Sequence, residues 1–204
     1  MITSSEIELL RSPSDLREFV NKLKQAVQAD ESERHRGVQK KGLYKEFLDE
    51  LIPLSCFALL AYPDNYKVQL VLGNQGYDAK VFDETGKEVD RIEITIPHNG
   101  AAEAKDARLI VDRGYGQIDI GDPGADFAAK FQYVRDTCRK KAQKDYGSYT
   151  LVVAIDPMPP FQSFELQYEQ KIKELVSEMA QIKFNAKRVF LLVIPDRVID
   201  VNRG

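Results

Sequence analysis

YKVQLVLGNQGYDAKVFDETGKEVDRIEITIP, residues 66–97, contains three strand-like runs separated by two turn clusters, and their order decides the fold. Aliphatic and aromatic residues dominate 66–72, 77–82 and 89–96, while Gly73-Asn74-Gln75-Gly76 and Asp83-Glu84-Thr85-Gly86 supply hairpin turns. An antiparallel meander of three strands is expected. Asp78 falls on the second run and Glu93 on the third, so two carboxylates from neighbouring strands can converge on one divalent cation. Their faces matter. A regular loop at Glu84-Thr85-Gly86 pairs Asp83 with Lys87 and therefore Asp78 with Ile92, which leaves Glu93 on the opposite face. A shared site requires a bulge that shifts parity by one residue, from Gly76 or from the end of either strand.

Upstream of the meander the pattern is helical. Ser12-Pro13-Ser14-Asp15 is a helix start, and Leu16, Phe19, Val20, Leu23 and Val27 follow at helical spacing to about Ala29. Residues 30–42 are polar and basic without periodicity and read as a linker or loop, so 1–42 is an N-terminal helix with a basic linker and 43–204 the main domain. A second helix is expected over 43–61, through Leu43, Phe47, Leu51, Leu54 and Ala58, with a kink at Pro53.

Downstream, 101–111 has helical character and 112–124 is glycine-rich. Residues 127–146 form a strong amphipathic helix with Phe127, Phe131, Val134 and Cys138 on one side. Continuously apolar 150–155 is a strand buried on both faces, 164–184 another amphipathic helix, and 188–194 a second buried strand, with strand-like character on to Ile199 suited to an edge. The fold class is α/β: a mixed central sheet with an αβββαβ core flanked by helices, plus a C-terminal α-β extension.

Composition narrows the function classes. The chain has 204 residues, 43% hydrophobic and 30% charged, and no apolar run long enough to span a bilayer, so no membrane role is expected. The N-terminus has no basic segment followed by an apolar stretch, which makes the cytoplasm the expected location. Cys56 and Cys138 have neither metal-ligand spacing nor the density of a disulfide scaffold and read as free thiols. A net charge of −3 argues against a general nucleic-acid coat, but cations cluster at 34–45 and 135–144, and a local patch is enough to hold a phosphate backbone. Zinc spacing, a phosphate-binding glycine loop before a helix and a strained Gly-x-Ser-x-Gly turn are all missing.

Asp78 in Gly76-Tyr77-Asp78-Ala79-Lys80, Glu93 in Ile92-Glu93-Ile94-Thr95, and the helix Arg139-Lys140-Lys141-Ala142-Gln143-Lys144-Asp145-Tyr146 leading into Leu151-Val152-Val153-Ala154 occur in that order. The arrangement, over about residues 43–156, resembles the PD-(D/E)XK, or restriction-endonuclease-like, nuclease superfamily. The resemblance implies a metal-dependent nuclease that hydrolyses phosphodiesters in DNA with Mg²⁺ or Mn²⁺. Asp78 and Glu93 would bind the metal, with Glu50 or Glu46 of the second helix as a supplement. The superfamily's lysine, two residues after the second acid, is Thr95 here. Some members are similar in supplying it from the following helix, which makes Lys140, Lys141 and Lys144 candidates, with Lys80 on the second strand another. Lys140 and Lys144 share a helical face and Lys141 stands about 100° from Lys140, so the three cannot all point inward.

Arg139, Lys140, Lys80 and His98 are the candidate contacts to nucleic acid. His98 is equally suited to a turn, and His35 lies in the polar linker and is read as inert. The alternative function is a catalytically inactive nuclease-fold module that binds nucleic acid or a protein partner, with Thr95 as the mark of lost catalysis. In the plainest reading, Asp78 is a solvent-facing residue paired with Lys80 or Arg91, and Glu93 is an outward position of an alternating strand. DNA is the expected partner; a homodimer or larger assembly stays open.

Overall fold

The computed structural model describes residues 2–97, 104–105, 107–110, 123–156 and 165–202. His98, part of the 101–111 segment and all but two residues of 112–124 lie outside the described residues, and the described residues of 101–111 are helical as expected. The chain begins with a short helix, α1 (Ser4–Ile7), and α2 (Pro13–Ala29). Ser12 caps α2 by accepting a hydrogen bond from Asp15 N at 3.2 Å, with Pro13 at the first helical position, where its missing N–H is no loss. Leu16 and Val20 of α2 are buried in the same apolar cluster as the central strands.

Residues 30–42 differ from the expected linker, because Glu31–Val38 form a helix, α3. The Asp30 side chain caps it through Glu33 N at 3.0 Å, and Tyr44 donates to Glu33 to hold it against the next helix. The stretch lacks apolar periodicity because only one narrow side of α3 is covered; Gly37, its buried residue, takes the Tyr44 ring. The second helix runs as α4 (Tyr44–Glu46), a π turn (Phe47–Leu51) and α5 (Ile52–Ala61). The irregularity falls upstream of Pro53 rather than at it. Ile52 N reaches back to Phe47 O, and this wide turn moves the Asp49 carbonyl away from the proline ring that would otherwise clash with it.

Six strands form one mixed sheet in the order β1 (Lys67–Leu70), β2 (Ala79–Phe82), β3 (Glu88–Thr95), β4 (Thr150–Ile155), β5 (Arg188–Val193) and β6 (Arg197–Asp200). β1, β2 and β3 are antiparallel, β3, β4 and β5 are parallel, and β6 returns antiparallel along the edge. β4 and β5 require crossover connections, and the described helices α6 (Pro123–Ala142) and α7 (Glu165–Ala180) precede them. The helix expected over 127–146 thus ends two residues short of Lys144.

Each sheet face carries its own core. Val68, Leu70, Ala79, Val81, Ile92, Ile94, Val152 and Leu192 pack with α2, the π turn and α5. Leu151, Val153, Val189 and Leu191 pack with α6 and α7, through Phe127, Phe131, Val134 and Cys138 of α6 and Tyr168, Ile172 and Leu175 of α7. Alternation along β3 therefore directs Ile92 and Ile94 to one layer and Arg91, Glu93 and Thr95 to the other.

Candidate active site

The required bulge is present. β2 and β3 pair Phe82 with Glu88 beside the turn but Val81 with Asp90, Lys80 with Arg91 and Ala79 with Ile92, so Val89 is the extra residue. The paired register ends at Ala79 and Ile92; Asp78, one residue before β2, turns its N–H to Ile92 O, and its carboxylate is electrostatically coupled to Glu93. The bulge lies at the turn end of β3, where Asp83 N still bonds Lys87 O at 2.9 Å, so the hairpin itself remains regular.

Asp78 is fixed by backbone on both neighbours. Its N–H donates to Ile92 O at 2.7 Å, its carbonyl accepts from Val71 N at 2.8 Å, and its Oδ2 accepts from Ile94 N at 2.7 Å. Burial is the main reason its carboxyl is pushed up to about 6, with Glu93 adding to the rise and the Ile94 amide, Lys141 and Lys45 opposing it. The side chain is thus within electrostatic reach of cations from both helical layers. Glu93 pairs with Lys141 at 2.8 Å, and both side chains are only 15% exposed.

Glu50 stands in the π turn, which packs against β3. Burial first, then the Asp78 charge, raises its carboxyl to about 7, with Lys45 opposing and Glu46 and Asp49 reinforcing. A regular α-helix sets residues five apart about 140° round from each other, and the added residue of the π turn narrows that angle for Lys45 and Glu50. Glu46 has one buried carboxylate oxygen without a hydrogen-bond partner. Tyr146 completes the cluster. Its ring centroid is 6.0 Å from Lys141 Nζ, its buried hydroxyl has no hydrogen-bond partner among the described residues, and burial together with the Glu93 and Asp78 charges holds its proton on.

Asp78 is coupled to Glu93 and Lys141 on one side and to Glu50 and Lys45 on the other, and the structure leaves other candidates apart. Lys140 and Lys144 are exposed. Arg139 is also exposed and pairs with Asp136 at 3.1 Å. Lys80 pairs with Glu88 at 3.4 Å rather than with either acid of the site. Thr95, at the superfamily's lysine position, is half-buried beside Val153 of β4. Lys45 and Tyr146 were not identified as site residues from sequence. The five-residue spacing of Lys45 and Glu50 signals proximity only once the π turn is known, and Tyr146 lies in an irregular segment whose path follows from Tyr146 N bonding Asn185 O at 2.8 Å.

Among the described residues, no three His, Cys, Asp or Glu side chains are disposed to hold a metal ion together. The donor chemistry nonetheless fits a hard divalent cation. Asp78 and Glu50 are carboxyls whose charged forms are disfavoured by burial and by neighbouring acids, and an oxygen-seeking cation would relieve both. No family model matches the sequence, and comparison with characterised proteins and with solved structures likewise gives no match.

Proposed function

We propose that this chain is a divergent nuclease of the PD-(D/E)XK type, a metal-dependent phosphodiesterase acting on DNA in the cytoplasm. The observation that supports the reading is the Asp78 carboxylate held by the Ile94 amide, one residue along β3 from Glu93, whose own carboxylate pairs with Lys141 at 2.8 Å. Two carboxylates close to one another beside a lysine are what a site of this chemistry requires.

Asp78 would hold Mg²⁺ or Mn²⁺ with Glu93 on one side, or with Glu50 on the other. When bound, the ion supplies Lewis-acid polarisation of the phosphate and lowers the pKa of a coordinated water. Lys141 supplies the positive charge that Thr95 cannot, and its ammonium is placed to offset charge developing on phosphate oxygens near Glu93. The Ile94 amide orients Asp78, leaving its Oδ1 for a ligand. Tyr146, held neutral, is a donor rather than a base.

The alternative reading is a nuclease-fold module that binds without cutting, favoured by the ion pair that occupies Glu93 and by Thr95. One experiment separates them. Plasmid and single-stranded DNA are incubated with the wild type, Asp78→Ala, Glu93→Ala and Lys141→Ala, with and without Mg²⁺ or Mn²⁺. Metal-dependent cleavage by the wild type alone is expected, with a Mn²⁺-induced rise in Tm that Asp78→Ala lacks. Wild-type binding without cleavage or metal stabilisation establishes the module instead.

A further inference from the structure

The α6–α7 side of the sheet is apolar over β4 and β5, but the same side of β2 and β3 is cationic and aromatic. Lys80 of β2 faces Arg91 of β3 across the strand pair, and Gln69 of β1 faces Lys80. Along β3 this row lies two residues, roughly 7 Å, from Glu93 and on the same side of the sheet. Two tyrosines bracket it. Tyr77 and Tyr149 meet edge to face with centroids 5.4 Å apart, and the Arg91 guanidinium sits 5.0 Å from the Tyr77 ring and 5.7 Å from the Tyr149 ring. Lys80 Nζ is 5.8 Å from the Tyr77 centroid.

Charge distinguishes this cluster from an ordinary surface ion pair. Glu88 pairs with Arg91 at 2.6 Å and with Lys80 at 3.4 Å, so one carboxylate is shared by two cations and the row keeps a net positive charge. All four principal side chains are half-buried, so they are pre-oriented yet reachable. Partly exposed aromatic faces beside fixed cations are the combination that binds flexible polynucleotide chains, with bases stacking and phosphates meeting Lys or Arg. A duplex keeps its bases stacked on one another and offers no free base face to a tyrosine.

We infer that Tyr77, Lys80, Arg91 and Tyr149 form a binding platform for single-stranded polynucleotide, one strand row from the carboxylate site. The inference rests on the nuclease reading only for what happens next to the platform; binding itself needs neither metal nor hydrolysis.

Fluorescence anisotropy of the full chain in EDTA tests it, with labelled single-stranded DNA, single-stranded RNA of the same sequence, and duplex DNA as probes. Single strands are expected to bind more tightly than duplex; the DNA and RNA arms separate the two sources of the same chemistry. Tyr77→Ala and Tyr149→Ala should each weaken binding roughly ten-fold, while Tyr77→Phe and Tyr149→Phe, which keep the ring face, restore it. Lys80→Gln and Arg91→Gln should weaken binding and flatten its salt dependence, and they carry the test if an alanine variant fails to fold. Wild-type binding in EDTA with no cleavage once Mg²⁺ is added counts against hydrolysis and not against the platform. Equal affinity for duplex, wild-type affinity in the four weakening variants, or no binding to any probe overturns the platform.

Discussion

Lys141 Nζ lies 2.8 Å from Glu93 Oε1, across the gap between the last turn of α6 and the middle of β3. With both side chains 15% exposed, the pair is neither a screened surface bridge nor a fully desolvated one. Glu93 is also coupled electrostatically to Asp78, so the contact ties the helix to the site.

Removing one member leaves the other half-desolvated and uncompensated. Lys141→Ala and Glu93→Ala should each destabilise the fold by about 1–3 kcal/mol in urea titration, and the double variant by less than the sum. Strict additivity would mean that the two side chains do not interact in solution.

Much of this arrangement was legible in the sequence, and the rest depended on backbone irregularities. The turn clusters at 73–76 and 83–86 and the apolar runs specify the meander, and the phase of Phe127, Phe131, Val134 and Cys138 gives the buried side of α6. Sequence alone required a parity shift but located neither the Val89 bulge, which turns Asp90 inward, nor the departure of Asp78 from the ladder toward Ile92 O. Asp90 is drawn in by Tyr62, Thr150 and Lys187, partners distant in sequence. The π turn was hidden for a similar reason: Pro53 advertises a helix irregularity, but the widened turn relieves it one turn earlier. Choosing Lys141 over Lys140 or Lys144 required the helix phase relative to β3 and the early end of α6.

Asp78 and Glu50 make stability pH-dependent. Each has a folded pKa above its unfolded value, at about 6 and about 7, so between about pH 4 and pH 7 the folded chain holds protons that the unfolded chain has lost. Their stabilising contribution is complete below the unfolded pKa and is lost as pH rises through the folded one. Asp78→Asn and Glu50→Gln should therefore each raise stability at pH 8 by about 1 kcal/mol, discounted for solvent screening, and flatten the decline between pH 4 and 7. Chemical denaturation at pH 4, 6 and 8 checks this; an unchanged or lowered stability at pH 8 contradicts it.

Asp90 anchors the other end of the same strand. Its carboxylate accepts from Thr150 Oγ1 at 2.8 and 3.0 Å, from Tyr62 OH at 2.8 Å and from Lys187 Nζ at 3.2 Å. Thr150→Val preserves shape but removes a buried donor to a charge, and Tyr62→Phe, just past α5, does the same. Each should cost about 1.5–3 kcal/mol in urea titration. Because Asp90 fixes the register beyond the bulge, both variants should also reduce the metal-induced rise in Tm proposed for the Asp78 and Glu93 site, whereas an isolated structural bond would leave it unaltered.

Tyr146 offers the opposite expectation. Its hydroxyl is buried without a hydrogen-bond partner, an unmade bond that ordinarily costs a protein about 1–3 kcal/mol. Tyr146→Phe removes only that oxygen and keeps the ring beside Lys141, so stability should stay level or rise by up to about 1 kcal/mol. If the hydroxyl serves the site, this variant should lose metal-dependent cleavage through kcat, with KM little changed, despite its undiminished stability. A loss of more than about 1 kcal/mol in urea titration would show instead that the hydroxyl is satisfied in the native fold, and the pairing of carboxylates with a buried donor at the end of α6 would lose its functional meaning.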